Sequence, residues 1–348
     1  MHELGKLLVG IVVLVALLFV FLNALPSLDA AVPSDTTVRM EAPELQGIEA
    51  YINSAPFTLS EHVGQKVILI DFWTYTCINC IRTLPYLKSW HAQYADDGLL
   101  IVGVHAPEFE FEKRLENVQA AVQQYGIPYP VVLDNDHATW NAYHNRYWPA
   151  KYLINKEGRI VYTHFGEGAY DETERQIVAA LEDLKQTNIT RPHAAVNATD
   201  VNFFQIGTPE LYFGHSFRRA PIGNAPFLQP GESYSFAEPD SIAPNLIYLS
   251  GTWQNGPDHM VLESEDGKII LQYHAKVVNL VMAGDAELEV FLDGQRIGAE
   301  AEGVDVQNGV ARISEERLYN LVNGPDYSSH TLELRIHGPL RAYAFTFG

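Results

Sequence analysis

The sequence predicts an α/β domain with a mixed sheet and helices on both faces, then an all-β antiparallel sandwich of jelly-roll type. A single amino-terminal transmembrane helix precedes both. Three observations predict this. Between about residues 57 and 184, β-branched runs alternate with runs of helical spacing in the order β-α-β-α-β-α-β-β-α. From about 201 onward short apolar or alternating runs recur and no long helical pattern does. An uninterrupted apolar run, LLVGIVVLVALLFVFL, fills positions 7–22.

That run, with its flanks, approaches the ~20 residues needed to span a bilayer. Lys6 before it and Asp29 and Asp35 after it place the amino terminus inside and the remainder outside. A cleaved signal peptide is the competing reading. The candidate site Leu28-Asp29-Ala30 carries Leu where a small residue is needed, which favours an uncleaved anchor. Both readings export the rest of the chain, to a periplasm or the outer face of the plasma membrane. Residues 1–25 are thus the anchor. Residues 26–45, with Pro26, Pro33 and Pro43, are a tether.

The α/β domain is assigned to residues 46–187. Lys66 to Trp73 reads as a buried strand and Cys80 to Tyr94 as a helix kinked at Pro85. Leu99 to Val104 is the next strand. Glu112 to Tyr125 is an amphipathic helix stopped by Gly126. Pro130 to Leu133 is a short strand, and Asp136 caps a brief helix through His144. Lys151 to Asn155 and Arg159 to His164 are strands joined at Lys156-Glu157-Gly158. Asp171 to Leu184 is the closing helix.

Residues 188–200 are polar and unpatterned and read as a linker. The sandwich is assigned to 201–348. Its strands are expected at Asn245–Gly251, His259–Glu263, Lys268–Ala275, Val277–Met282, Glu287–Leu292, Gly309–Ile313, Thr331–Ile336 and Arg341–Phe347. Asp266-Gly267 and Asp293-Gly294 read as hairpin turns. Tyr343, Phe345 and Phe347 alternate, as one buried face of the last strand would.

The net charge of −20 argues against nucleic-acid binding, which requires a basic face. The only two cysteines, Cys77 and Cys80, sit where the strand ending at Trp73 turns into a helix. A thiolate is the nucleophile in disulfide exchange, and a helix amino terminus favours it. Cys77 at the first turn is therefore the attacking thiol. Cys80, one turn further in and more buried, resolves the mixed disulfide, so the pair cycles between dithiol and disulfide. Ile78-Asn79 supplies no cation to strengthen the thiolate further. Asp71 lies within an apolar strand, where burial raises a carboxylate pKa. It can accept the proton that Cys80 loses, or serve as a hydrogen-bonded structural group. Pro149 opens a strand, and sequence does not show its isomer. Zinc is not assigned. A structural site needs four ligands, and neither His91 nor His105 completes a second pair. No cofactor is called for.

These residues also carry a family resemblance. D-F-W-x-x-x-C-x-x-C, the proline five positions after the second cysteine, the later X-Pro before a strand and the Lys156-Glu157-Gly158 turn resemble a thioredoxin-like domain over roughly residues 55–187. The resemblance implies that Pro149 is cis beside the dithiol. It implies that Trp148 and Trp73 contact substrate, that the substrates are disulfide-containing proteins, and that Asp71 is the family's buried acid. The segment from Leu99 to Tyr129 is similar to the TlpA-like branch. W-T-Y-T-C-I-N-C-I-R-T-L-P-Y-L and G-V-H-A-P-E-F-E-F-E resemble the soluble portion of DipZ-type proteins. Those have a CcdA-like multi-span domain; this chain has one apolar segment, which implies a separate membrane electron donor of CcdA or DsbD type. T-P-E-L-Y-F-G, K-V-V-N-L-V-M-A-G and R-A-Y-A-F-T-F-G resemble the carboxy-terminal module of the same group, which looks like a carbohydrate-binding sandwich. Trp253 with Asn255 and Asp258 supplies a candidate sugar platform; a core-capping Trp is the alternative.

The function expected is extracytoplasmic thiol–disulfide exchange, leaning towards reduction. Two alternatives stand beside it. Thr74, three residues before Cys77, echoes a peroxiredoxin motif, although Ile70 stands where that motif has proline. A binding module with an accessory redox-sensing dithiol is the other.

Overall fold

The structure, a computed structural model, describes residues 40–189, 196, 201–225 and 227–348. The expected anchor and most of the tether and linker lie outside the described residues. Among the described residues no helix is long and apolar enough to cross a membrane. Residues Glu41–Gly348 form one compact unit containing two sheets.

The first sheet has six strands: β1 (Tyr51–Ile52), β2 (Val67–Trp73), β3 (Leu99–His105), β4 (Val131–Leu133), β5 (Ala150–Ile154) and β6 (Ile160–Phe165), in the order β1-β4-β3-β2-β5-β6. β2, β3 and β4 run parallel; β1, β5 and β6 join antiparallel. The sheet is mixed, as expected. Its helices are α1 (Ile78–Tyr94), α2 (Leu115–Tyr125), α3 (Ala138–Ala142) and α4 (Tyr170–Lys185).

Side chains alternate across a strand, so each half of β2 feeds a different layer. Val67, Leu69 and Trp73 pack with α1, α2 and α4 in one core, through Leu84, Leu87, Val122 and Leu181. Ile68, Ile70 and Phe72 pack on the other face with Trp140 and Tyr143 from α3 and its flank.

Two local expectations are corrected. α2 begins at Leu115, not Glu112, because Glu112 lies in a 3₁₀ turn spanning Glu110–Lys113. α3 is capped by Asp134 rather than Asp136: Asp134 Oδ1 and Oδ2 accept from the Thr139 and Trp140 amides. Gly126 does end α2 in a left-handed conformation, φ 59°.

The second sheet comprises β7 (Leu211–Tyr212), β8 (Ser233–Phe236), β9 (Ile247–Asn255), β10 (Met260–Leu262), β11 (Asp266–Gly284), β12 (Ala286–Leu292), β13 (Gln295–Arg296), β14 (Val306–Gln307), β15 (Val310–Ile313), β16 (Arg317–His337) and β17 (Leu340–Phe347). All its ladders among these strands are antiparallel. The two expected strands at 268–275 and 277–282 are one strand, β11, interrupted by register shifts between Ala275 and Asn279. β16 begins fourteen residues earlier than the expected 331 start. Asp266-Gly267 lies inside β11, paired with His337 and Ile336, and is not a turn. Asp293-Gly294 does join β12 to β13, both with positive φ.

The last strand is buried on both faces. Phe345 and Phe347 enter the β-module core. Tyr343, at a register shift in β17, instead joins the core beneath α1 and α2, with Val281 and Ala283. Apolar side chains from the second sheet thus complete the first domain's core. Tyr343 packs tilted against Phe109 and edge-on against Phe111, at centroid distances of 5.1 and 4.8 Å. Glu108 Oε1 accepts from Tyr212 Oη at 2.7 Å, and Asp258 Oδ2 from the Glu110 amide at 3.0 Å. Arg114 and Asn117 both reach Glu316.

Candidate active site

β2, a central strand of the sheet, ends at Trp73. The chain turns through Thr74-Tyr75-Thr76 and enters α1 with Cys77 as its N-cap residue. Cys77 has extended backbone angles, φ −76° and ψ 110°, and its Sγ accepts from the Cys80 amide at 3.2 Å. A helix amino terminus leaves such N–H groups without partners, so the sulfur sits where a negative charge is stabilised. Both cysteines are free thiols, Cys77 half-buried and Cys80 1% exposed. Burial raises the Cys80 thiol well above its ordinary pKa, followed by contributions from Cys77 and, more weakly, Asp71. The outer sulfur is reachable, and the inner one holds its proton until something draws it off.

Asp71 is near enough to contribute to the rise at Cys80. It shares the odd-numbered face of β2 with Leu69 and Trp73, beneath α1, and is 2% exposed. Directly opposite on β5 is Lys151, fully buried, with Nζ 3.5 Å from Asp71 Oδ1. Desolvation pushes the Asp71 carboxyl up to about 6, against the pull of the Lys151 ammonium. A carboxyl in that range exchanges protons near neutrality.

The loop before Cys77 is pinned by Glu112, itself fully buried. Its Oε1 accepts from the Thr76 hydroxyl at 2.6 Å and the Thr76 amide at 3.3 Å. Its Oε2 accepts from the Glu108 and Phe109 amides at 2.7 and 2.9 Å. Burial raises the Glu112 carboxyl and these hydrogen bonds partly offset it. On the other side, His105 lies 3.3 Å from the Thr74 hydroxyl through Nε2 and stacks on Tyr75. Desolvation lowers the imidazole to about 3, so it is neutral at ordinary pH.

The Trp148–Pro149 bond is cis, as the resemblance implies. Trp148 is half-buried, donates Nε1–H to the Ala106 carbonyl at 3.0 Å and packs on Trp140. Trp73 is corrected: at 1% exposed and packed against His105, it belongs to the core and presents no face to a substrate.

The sugar platform is corrected too. Trp253 is 0% exposed and bonds the Ser250 carbonyl. Asn255 is buried between Arg218 and the Leu228–Gln229 carbonyls, and Asp258 ties the Glu110 amide to the second sheet. Of the polar neighbours that suggested a ligand loop, Asn255 braces the β-module and Asp258 ties it to the first domain.

Three participants were missed: Lys151, Glu112 and Thr76. Lys151 had a legible signal, a charge inside the apolar run Ala150 to Ile154, the same signal that singled out Asp71. Glu112 and Thr76 had none, since their contact spans 36 positions.

The mixed sheet with a dithiol at the head of α1 is a thioredoxin-like arrangement. Residues 38–163 match the AhpC/TSA family and residues 208–348 match the thioredoxin like C-terminal domain family. It is similar to Protein DipZ of Mycobacterium tuberculosis and of Mycobacterium bovis, 36% identical over 327 residues in each case. That covers 90% of this chain and 44% of either relative; the chain spans less than half the length of these relatives. Thiol-disulfide oxidoreductase YkuV of Bacillus subtilis is 29% identical over 148 residues, 42% of this chain and 99% of YkuV.

Proposed function

We propose that this chain is an extracytoplasmic thiol–disulfide oxidoreductase that reduces disulfides in protein substrates through Cys77 and Cys80. The observation that carries the reading is the sulfur pair itself: one reachable sulfur on a helix amino terminus, bonded to the amide of a second cysteine that is buried.

The Cys77 thiolate attacks one sulfur of a substrate disulfide. The substrate S–S bond breaks, a Cys77–substrate disulfide forms, and the other substrate sulfur leaves as a thiolate. Asp71, as carboxylate, takes the Cys80 proton, through water where it does not reach directly. Cys80 sulfur then attacks Cys77 Sγ and expels the second substrate sulfur. Two electrons pass to the substrate, and the Cys77–Cys80 disulfide forms. A separate membrane donor of CcdA or DsbD type returns the pair to the dithiol. The apolar run at 7–22 supports membrane anchoring with the catalytic unit outside.

Peroxide reduction is the second reading, favoured by the AhpC/TSA match. Thr74, whose position raised it, directs its hydroxyl to His105. The test is insulin reduction by wild type and Cys77→Ser. Loss of turnover in the variant is expected; equal rates would sink the enzymatic reading. Hydrogen peroxide consumption exceeding disulfide reduction would favour the second reading.

A further inference from the structure

A groove of about 530 Å³ opens beside the dithiol, between helices α1 and α2 of the first domain and the second sheet. One wall is the exposed side of α1: Ile78, Ile81 and Pro85, each part-exposed. The other wall comes from the β-module, with Leu318 on β16, Asn323 further along it, and Val304 on the loop before β14. Ile78 is the chain neighbour of Cys77. A polypeptide whose disulfide lies on Cys77 Sγ has its flanking residues beside this groove.

Val304 is the unusual residue. It is 86% exposed, yet its loop is tightly braced against β16. The Val304 amide donates to Asn320 Oδ1 at 2.9 Å, the Gly303 amide to the Leu321 carbonyl at 3.1 Å, and the Asp305 amide to the Asn320 carbonyl at 3.3 Å. Gly303 lies so close to the Asn320 backbone that a Cβ there would stand 2.1 Å from the Asn320 carbonyl oxygen. The fold therefore holds an aliphatic side chain in water at the groove's rim. Charge in the groove is largely matched internally: Arg317 bonds Asp305 and Glu315, and Arg82 lies 3.6 Å from Glu167. What remains is an apolar stripe of Ile78, Ile81, Pro85, Leu318 and Val304, flanked by polar side chains of which Asn323 is exposed.

We infer that this groove receives the substrate polypeptide flanking the target disulfide, with Val304 contacting an apolar side chain next to the substrate cysteine. The β-module is then the half of the enzyme that distinguishes protein disulfides from small ones. This rests on the exchange activity proposed above and adds a substrate preference to it. A groove beside the nucleophile whose ionic side chains pair with protein groups, leaving an apolar stripe between them, suits an extended, apolar stretch of an incompletely folded chain. Apolar burial supplies the affinity.

The experiment uses pre-reduced protein under single-turnover conditions with two oxidants, insulin and glutathione disulfide, read by acid quench and alkylation. Val304→Asp places a charge in the groove and Val304→Ala removes its aliphatic contact. Because Val304 is exposed, neither disturbs a core. The second-order rate constant with insulin is expected to fall about tenfold in Val304→Asp and by a smaller factor in Val304→Ala. The glutathione disulfide rate is expected to stay at the wild-type value, because that oxidant carries no apolar side chain to place against Val304. An insulin rate within about twofold of wild type in both variants overturns the inference. So does an equal fall with both oxidants, which would place the effect at the dithiol. Wild-type protein that reacts with neither oxidant would refute the exchange activity itself, a different outcome from either of these.

Discussion

Lys151→Met tests the buried pair beneath the dithiol. In the native protein Asp71 and Lys151 face each other across β2 and β5, 3.5 Å apart and both almost wholly excluded from water. Burial raises the Asp71 carboxyl from its ordinary 3.8 to about 6, which corresponds to about 3 kcal/mol against the ionised form. A carboxyl raised on folding binds its proton more tightly in the native state. Its stability contribution is therefore full below pH 3.8 and is lost as pH rises through about 6. Met removes the attraction that limits that rise, so the Asp71 carboxyl moves higher and the loss continues into the alkaline range. Stranding one partner of a buried pair costs about 3–5 kcal/mol. The lower end, about 3 kcal/mol at pH 8, is expected here because Asp71 can take up a proton instead. At pH 5 Asp71 is already protonated and the loss shrinks towards zero. Urea unfolding of both proteins at pH 5, 6.5 and 8 measures this. Equal destabilisation at all three values would refute the reasoning. Asp71→Asn combined with Lys151→Met should recover most of the pH 8 loss.

Three further outcomes are expected. Asp71→Asn removes the acceptor for the Cys80 proton, so release of substrate from the Cys77 mixed disulfide slows. The rise of that rate through pH 6 disappears, as stopped-flow measurement between pH 5 and 8 would show. Glu112→Gln leaves the Thr76, Glu108 and Phe109 donors facing a neutral amide. The cost is about 1–3 kcal/mol in thermal unfolding, with faster hydrogen exchange at the Thr76 amide. Trp253→Ala costs about 3–5 kcal/mol, because the side chain fills the β-module core.

The elements of the first domain were legible because its central strands are buried on both faces and read as largely apolar runs, Val67 to Trp73 above all. The helix start at Leu115 was not, because Glu112 spends its carboxylate on amides three and four residues back and holds the chain in a tighter turn. β11 reads as two strands because its register shifts near Lys276 break the alternation, while cross-strand pairing with β16 keeps it whole. At the site, Cys77, Cys80 and Asp71 were visible in one stretch of chain. Lys151 acquires meaning only once register places it opposite Asp71. Trp253 misled because Asn255 and Asp258 have the chemistry of a sugar site, and only burial shows that they serve the fold.

The central claim is that Cys77 and Cys80 form a reversible redox pair. Its direct measurement is equilibration of the protein in glutathione buffers of graded potential, followed by acid quench, alkylation and intact mass. A single two-electron transition is predicted between the unmodified disulfide and the doubly alkylated dithiol. A midpoint near thioredoxin's, about −270 mV, supports the reductase, and one near DsbA's, about −120 mV, reverses the direction of electron flow. Protein alkylated at both cysteines across the whole range would contradict the account.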